Sequence, residues 1–446
     1  MYVVVVGAGE VGFHITNILT QEGHDVVLID RDAEQIQRAS QELDVMGIVG
    51  NGASKKVLRE AQIARAEILI AVTDSDEVNM IACMAAKHVG VGMTIARVRN
   101  QDYLDYEDSV STEFTDIDYV IQPESAVAHE IAKLAEIPGA LDVEIFADGQ
   151  VFMLEVQVAS GTAGAEHSLL SIGLPRNVLI TAVLQGDNMM IPSGKTVLHE
   201  GDRVFLAGKR EGVLEAAALL SPQSRSSRTG ILLGCGDMGL RIAKALEERD
   251  IKLTIFEKDY ERSVEAAGVL QKSLVLHDEG LSEISLIQEG VRETDLFIAA
   301  TGDDRLNILT SLLAKRLGAK RTISIIERPE FSTILESVGV DVAISPRRIL
   351  ASAVLRFIRA GEVLSAALLD KSAGEVIELV VTEKSRIANR ALQEVEFPKD
   401  AIVGVLVQKD GVHIAHGNSV PRPGDIAIIF TRTEAVAGVE RLFAGK

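Results

Sequence analysis

The sequence has no tryptophan, few other aromatic residues and only two cysteines. Its 446 residues include 5 tyrosines and 12 phenylalanines. We therefore expect cores built from Val, Ile, Leu and Ala, as in parallel sheets covered by helices. Cys83 and Cys235 are too few for a disulfide framework, and neither belongs to a C-x-x-C motif. This cysteine usage favours a reducing compartment and predicts a cytoplasmic protein.

A long hydrophobic run and an excess of basic residues are also missing. No uninterrupted apolar stretch reaches about 18 residues, so we expect no membrane span. Met1 leads directly into an apolar strand, and we expect no signal peptide. The 45 Lys and Arg against 65 Asp and Glu give a formal charge of −20. Nucleic-acid binding calls for a basic footprint, so the sequence predicts no nucleic-acid partner.

What the chain does contain is a G-x-G-x-x-G signature in two copies. The first copy consists of Gly7, Ala8, Gly9, Glu10, Val11 and Gly12, and the second of Gly234, Cys235, Gly236, Asp237, Met238 and Gly239. In dinucleotide-binding folds the first glycine permits a tight turn and the second lets phosphate approach the backbone. The third lets the following helix pack closely. Two copies in register predict a duplicated nucleotide-binding unit.

Each signature lies in a predicted β-α-β unit that ends at an acidic residue. The first unit has strands at 2–6 and 26–29 around a helix at 11–21, and the second has strands at 231–233 and 253–256 around a helix at 240–248. Asp30 and Glu257 follow the second strands, where an acid accepts hydrogen bonds from ribose hydroxyls. The first glycines and the acids both keep an offset of 227 residues. Both carboxylates would repel a 2′-phosphate, which favours NAD(H), ADP or ATP.

Further candidate residues follow other predicted strands. Thr73 and Asp74 follow the strand at 68–72, and Thr301 follows the strand at 296–300, at the edge where open α/β sheets bind ligands. Asn79 either contributes to that site or pins its loop. We also count Arg31, next to Asp30, among the candidate nucleotide-binding residues.

Two more features distinguish the halves. Asn51 and Gly52 lie in the loop at 50–54, and His277 and Asp278 lie in the equivalent loop at 277–280. These loops either contact an adenine ring or form ordinary capped turns. Arg97, in a strand at 94–98, needs an anionic partner such as a phosphate or Asp74. Its counterpart is Ile325 or Ile326, so we expect two chemically different sites.

A β-rich segment follows each nucleotide-binding unit, and both segments end in a Gly-Asp turn before an apolar strand. The predicted fold class is α/β, with two Rossmann-like doubly wound parallel-sheet domains, each followed by a small α+β module. The predicted domains are 1–138, 139–220, 230–364 and 365–446, with a linker at 221–229.

The sequence shows no catalytic or metal-binding signature. Its 9 histidines form no H-x-x-x-H motif, and His413 and His416 would point to opposite faces of a strand. There is no G-x-S-x-G elbow, and the Ser-Gly-Lys-Thr run at 193–196 lacks the upstream glycine of a P-loop. We expect a protein that is not an enzyme and has no metal site.

Several segments together resemble the RCK (KTN) domain family, which regulates potassium channels and transporters. They are residues 5–12, 71–80, 95–99, 313–320 and 341–346. The whole chain resembles the tandem-RCK regulatory subunits of Trk potassium-uptake systems. The resemblance implies NAD(H) at Gly7–Val11, Asp30, Thr73, Asp74 and Arg97. It implies a second nucleotide, ADP/ATP or NAD(H), at Gly234–Met238 and Glu257.

The resemblance also implies a homotetramer, peripheral on the inner face of the membrane through a TrkH-type potassium-transporting subunit. The expected function is a nucleotide-sensing regulatory subunit that gates potassium uptake by a ligand-driven conformational change. Two alternatives are an NAD-dependent oxidoreductase with duplicated Rossmann domains, and a nucleotide sensor of a non-Trk channel or antiporter.

Overall fold

A computed structural model gives the structure of the chain. It describes residues 1–21, 23–103, 116–137, 139–186, 188–221, 227–328, 331, 335, 338–358, 363–368 and 374–444. Pro138, at the first predicted boundary, and residues 222–226 of the predicted linker lie outside the described residues.

Residues 1–137, the first lobe, form a parallel sheet of six strands in the order β3-β2-β1-β4-β5-β6. The strands are β1 (Tyr2–Val6), β2 (Asp25–Asp30), β3 (Met46–Val49), β4 (Ile68–Ala71), β5 (Met93–Arg97) and β6 (Tyr119–Ile121). The helices are α1 (Glu10–Gln21), α2 (Ala33–Glu42), α3 (Lys55–Glu60), α4 (Asp76–His88) and α5 (Pro123–Glu136), with 3-10 turns at Ile63–Arg65 and Gln101–Tyr103. The strand order reverses at β1, which places a topological switch point at the first glycine loop.

Residues 139–221, the first module, form an antiparallel sheet in the order β11-β10-β13-β8-β7. Its strands are β7 (Ala140–Phe146), β8 (Val151–Gln157), β10 (Val178–Gln185), β11 (Asn188–Met190) and β13 (Arg203–Gly208). Two short strands, β9 (His167–Ser168) and β12 (Val197–Leu198), pair with each other, and helix α6 (Arg210–Leu220) packs on the sheet.

The second lobe repeats the first, with the sheet order β16-β15-β14-β17-β18-β19. Its strands are β14 (Thr229–Leu233), β15 (Lys252–Glu257), β16 (Leu274–His277), β17 (Leu296–Ala299), β18 (Thr322–Ile325) and β19 (Val342–Ile344). Its helices are α7 (Asp237–Glu247), α8 (Tyr260–Val269), α9 (Glu283–Gln288), α10 (Asp304–Leu317) and α11 (Pro346–Ile358). The α/β class with two Rossmann-like sheets, predicted from the sequence, is confirmed.

The second module repeats the first in sheet order, β20-β21-β24-β22-β23. The elements are β20 (Val363–Leu368), β21 (Glu375–Val380), β22 (Ala401–Gln408), β23 (Gly411–Ile414), β24 (Ile426–Thr431) and α12 (Val436–Ala444), with 3-10 turns at Leu392–Glu394 and Thr433–Ala435. Strand β20 runs across the predicted boundary between residues 364 and 365. The two modules pack on each other, with the rings of Phe205 and Phe430 5.7 Å apart.

Helix α5 leaves its own lobe and covers α7, the glycine-loop helix of the second lobe. Val127, Ile131 and Leu134 of α5 share a hydrophobic cluster with Ile242 and Leu246 of α7, and all five are almost fully buried. Burial of apolar side chains is the main favourable term in such packing. The first lobe therefore contacts the second lobe through the helix that follows the second glycine loop.

In the reciprocal contact, α11 of the second lobe packs on α1 of the first lobe. Leu350, Ala351 and Val354 of α11 are fully buried in a cluster with Ile15 and Leu19 of α1. Helices α5 and α11 also lead from each lobe into its module. The two halves thus form an internal pair related by a pseudo-twofold arrangement.

Arg321, just before β18, links the second lobe to the end of α5 through hydrogen bonds. Its guanidinium is fully buried and donates hydrogen bonds to the carbonyl oxygens of Leu134 (2.6 Å), Ile137 (3.3 Å) and Ala140. Burial lowers the pKa of Arg321 to about 10, so the side chain stays protonated at neutral pH. One side chain therefore satisfies carbonyls where the first lobe meets its module.

We expect Arg321→Met to destabilise the protein. Methionine, the residue at the equivalent position 93, fills the space but donates no hydrogen bond. Each buried carbonyl left without a donor costs about 1–3 kcal/mol, and we expect a fall of several degrees in the thermal unfolding midpoint. Arg305→Met, which removes an exposed arginine paired with Asp303, is the control. Equal midpoints for the two variants would contradict this account.

Candidate functional site

The first and third glycines of each signature are required by the backbone. Gly7 has φ +110° and Gly234 has φ +91°, a region that favours glycine. A Cβ atom on Gly12 would overlap the carbonyl oxygen of Gly7, and one on Gly239 would overlap that of Gly234. Each loop helix therefore packs directly against its own turn.

The middle glycines are different. A Cβ on Gly9 would meet no atom within 4 Å, and one on Gly236 would meet only Nη1 of Arg262, at 3.2 Å. Packing therefore does not require glycine at either position. Open space in front of a loop that begins a helix suits the approach of a phosphate to backbone N–H groups.

The predicted ribose acids lie beside the glycine loops. Asp30 accepts hydrogen bonds from the N–H groups of Ala8 (2.6 Å) and Asp32 (2.9 Å). In the same way Glu257 accepts from Cys235 (2.6 Å) and Asp259 (2.9 Å). Both carboxylates are fixed in place, and each keeps lone pairs that can accept from ribose hydroxyls. The structure brings loop and acid together in both halves.

Asn79 pins the loop after β4. Its Oδ1 accepts from the N–H (2.9 Å) and the hydroxyl (2.7 Å) of Thr73, and its Nδ2 donates to the carbonyl oxygen of Arg97 (2.9 Å). Of the two interpretations of Asn79, pinning is the one the structure supports. The hydroxyl of Thr73 is engaged in the same network.

The second lobe repeats this network through Asn307 and Thr301. Asn307 Nδ2 donates to the carbonyl oxygen of Ile325 at 2.9 Å. Ile325, rather than Ile326, is therefore the structural counterpart of Arg97. The position that carries a cation in the first lobe carries a buried aliphatic side chain in the second.

The loops after β3 and β16 form capped turns next to the acids. Asn51 Oδ1 accepts from the N–H of Ala53 at 2.8 Å, and Asp278 Oδ1 accepts from that of Gly280 at 2.7 Å. A Cβ on Gly52 would overlap the side chain of Val6, so Gly52 has a packing role. These bonds support the turn interpretation. Exposed Arg31, Asn51, His277 and Asp278 still lie at the ligand edge of their sheets.

Arg97 is mostly buried, and its Nε has no hydrogen-bond partner among the described residues. Burial, together with the neighbouring charge of Arg99, lowers the pKa of Arg97. Asp74 pairs with Arg99 at 3.2 Å, rather than with Arg97 as the sequence suggested. A buried guanidinium with an unused donor is suited to an anionic ligand.

Charged side chains cross between the lobes next to this site. Arg347 of α11 bonds Glu10 at the start of α1, at 2.9 Å. Arg241 of α7 donates to the carbonyl oxygen of Arg99 (3.1 Å) and to the hydroxyl of Ser125 (2.9 Å). Sequence reasoning missed Arg241 and Arg347, because no local pattern indicates which helix of the other half will cover a loop.

The described part of the chain has two free cysteines, no candidate metal cluster and no helix that could span a membrane. Cys83 and Cys235 are buried free thiols, and burial raises the pKa of Cys235 to about 11. No group of three or more His, Cys, Asp or Glu residues there could hold a metal ion. None of its helices combines the length and apolar character that a membrane crossing requires.

Comparison with known proteins places the chain in a family. The TrkA-N domain model matches residues 3–123 and 231–346, and the TrkA-C domain model matches residues 153–221. The chain belongs to the TrkA family.

Two relatives match over nearly the whole chain. The Trk system potassium uptake protein TrkA homolog 1 of Methanosarcina mazei is 36% identical, covering 99% of this chain and 100% of that protein. The Trk system potassium uptake protein TrkA of Halomonas elongata is 33% identical, covering 99% and 98%.

Among solved structures, the TrkA-family chain resembles RCK proteins in fold. The GsuK RCK domain gives a TM-score of 0.61 at 17% identity, covering 100% of this chain and 95% of that one. The GsuK channel bound to NAD gives 0.62 at 18%, covering 100% and 79%. Likeness at this level of identity shows the shared architecture of lobes and modules.

The contrast between glycines gives a test of the first loop. We expect Gly9→Ala to fold normally, because its methyl group meets open space, but to lose stabilisation by added NADH. We expect Gly12→Ala to lower the unfolding midpoint without nucleotide, since overpacking costs about 1–3 kcal/mol or more. Thermal unfolding with and without NADH separates the two effects.

The control is Gly268→Ala, where an added Cβ would also meet nothing within 4 Å. It should neither lower the unfolding midpoint without nucleotide nor reduce the stabilisation by NADH. A Gly9→Ala protein that keeps the full NADH response would show that this loop does not contact the ligand.

Proposed function

We propose that this chain is a cytoplasmic nucleotide-sensing regulatory subunit of a potassium-uptake transporter. Nucleotides bound at the two glycine loops would change how the two halves are arranged, and the module surfaces would pass that change to a membrane partner. The observation that carries this proposal is the reciprocal packing of α5 on α7 and α11 on α1. Each nucleotide loop begins a helix that the other half covers.

For the first lobe we propose NAD(H) as the ligand. The backbone of Gly7–Val11 would bind the pyrophosphate, and Asp30 the adenosine ribose. Arg97, whose Nε has no hydrogen bond within the described residues, would pair with ligand phosphate. Thr73 would act by shaping the loop, since its hydroxyl already bonds Asn79. That the GsuK channel has been solved with NAD supports this choice.

For the second lobe we propose ADP/ATP or NAD(H), bound through Gly234–Met238 and Glu257. Ile325 replaces the strand arginine, so this site must hold phosphate in another way. A GsuK structure bound to ADP shares the fold over 80% of this chain, with a TM-score of 0.51 at 13% identity. Two sites with different chemistry suit a regulator that responds to more than one nucleotide.

The proposed partner is a TrkH-type potassium-transporting subunit on the inner face of the membrane. We propose a homotetramer, so that eight lobes form a ring. Ile81 on α4 and Leu309 on α10 support an assembly surface, because both are exposed (50% and 65%) and occupy equivalent positions in the two lobes. The working units remain residues 1–138, 139–220, 230–364 and 365–446, joined by a linker at 221–229.

Amide substitutions at the two acids should assign nucleotides to halves. Asp30→Asn and Glu257→Gln keep an acceptor oxygen for the loop N–H but remove the charge that favours ribose hydroxyls. Loss of a hydrogen bond to a charged group weakens binding roughly ten-fold or more. Calorimetric titration should show Asp30→Asn weakening NADH, and Glu257→Gln weakening ADP and ATP.

Asp44→Asn, at an exposed position in the same lobe as Asp30, is the control and should bind as the wild type does. Both acid variants should also abolish nucleotide-dependent regulation of potassium uptake in cells that express the chain with a TrkH-type subunit. The proposal would be wrong if the purified wild-type protein bound none of NADH, ADP and ATP.

A further inference from the structure

We propose that Arg262 is the phosphate-binding cation of the second lobe and makes that site selective for ADP and ATP. This inference rests on the proposed function, since it assumes that the second glycine loop binds a nucleotide. It deepens that proposal by naming the group that replaces the strand arginine and the end of the ligand that it contacts.

The guanidinium of Arg262 lies over the middle glycine of the second loop. Its Nη1 is 3.2 Å from the position that a Cβ of Gly236 would occupy, and no other atom there comes within 4 Å. The middle glycine is the point at which phosphate approaches the backbone in this kind of loop. Arg262 and the loop N–H groups therefore face the same volume.

Local hydrogen bonds fix the backbone position of Arg262. It lies in the first turn of α8, and its N–H donates to the capping carboxylate of Asp259 at 3.0 Å. Asp259 is in turn held by Glu257, the ribose acid, through a 2.9 Å hydrogen bond. One chain of hydrogen bonds thus links the arginine backbone, the helix cap and the acid.

The Arg262 side chain is exposed and has no ion pair or side-chain hydrogen bond within the part of the chain that the structure describes. Many surface arginines are solvated in this way, and exposure alone would indicate nothing. Its position over a phosphate-approach point is what distinguishes it. A planar guanidinium can bind phosphate oxygens bidentately.

The first lobe has no such group at the equivalent position. Helices α2 and α8 start at equivalent residues after the capping residues Asp32 and Asp259, and the counterpart of Arg262 is Gln35. The phosphate-binding cation that we assign to each lobe therefore comes from a different element. The first uses Arg97 of β5, and the second uses Arg262 of α8.

The opposite end of the second site carries an aromatic pair. The rings of Tyr260 and His277 lie edge to face with centroids 5.4 Å apart, and His277 Nε2 is 3.0 Å from the carbonyl oxygen of Lys258. The counterparts in the first lobe are Ala33 and Val49, which ends β3 opposite Asp30, so no such pair exists there. Aromatic faces can stack on a nucleobase.

These groups follow one order along the sheet edge. Arg262 lies over the loop after β14, Glu257 ends β15, and His277 ends the neighbouring strand β16, opposite Glu257 in the pairing. In this order Arg262 would bind the phosphate, Glu257 the ribose, and the Tyr260–His277 pair the base. This is the set of groups that an adenine nucleotide with a phosphate tail requires.

The test uses full-length protein carrying Gly9→Ala, so that binding reports on the second loop. ADP, ATP and AMP are titrated calorimetrically against this protein and against versions with Arg262→Gln or Arg262→Lys added. We expect Arg262→Gln, which installs the first-lobe residue, to weaken ADP and ATP about ten-fold or more and AMP much less. Arg262→Lys should recover part of the loss, because it keeps the charge.

Arg292→Gln, which removes an exposed arginine before β17 at the opposite edge of the same sheet, should leave all three affinities unchanged. Equal weakening of ADP, ATP and AMP by Arg262→Gln, or no weakening, would overturn the inference while leaving nucleotide binding intact. If neither the Gly9→Ala protein nor the wild type bound any adenine nucleotide, the proposed function itself would be refuted. NADH binding by Arg262→Gln in the otherwise wild-type protein should be unchanged, and a parallel loss would also overturn the inference.

Discussion

The reciprocal covering of the glycine-loop helices is the constraint on which the rest of the structure depends. Helix α5 of the first lobe buries one face of α7, and α11 of the second lobe buries one face of α1. A ligand at either loop therefore sits at the beginning of a helix that the other half holds. Any nucleotide that prefers one packing of these helices shifts the equilibrium between packings, by no more than its difference in affinity.

The polar contacts that cross between the lobes differ in the two directions, and so do the groups beside the two glycine loops. Arg347 reaches across to Glu10 beside the first loop, and Arg241 reaches back to the backbone of Arg99. Arg97 has an unused donor in the first site, whereas Ile325 is buried at the same place in the second. Duplication preserved the backbone hydrogen bonds of both loops while the charged groups around them diverged.

Much of the fold and of both loops could be predicted from the sequence, because these features are local. The continuous apolar strands, the glycine turns and the acids at the ends of β2 and β15 all act within about 30 residues. The roles of Asn79 and of the Ile325 position required the structure, since each depends on bonds between neighbouring strands. The roles of Arg262, Arg321 and Arg347 could not be found from the sequence, because the groups near these side chains lie in other elements or in the other half.

The central claim is that nucleotides at the two loops change the arrangement of the two lobes. Spin labels at Lys56 and Glu283, exposed positions near the starts of α3 and α9, would report the distance between the lobes by double electron–electron resonance. The account predicts different distance distributions with saturating NADH and with saturating ATP. It also predicts that Gly9→Ala removes the NADH-dependent change. One unchanged distribution without nucleotide, with NADH and with ATP would contradict it.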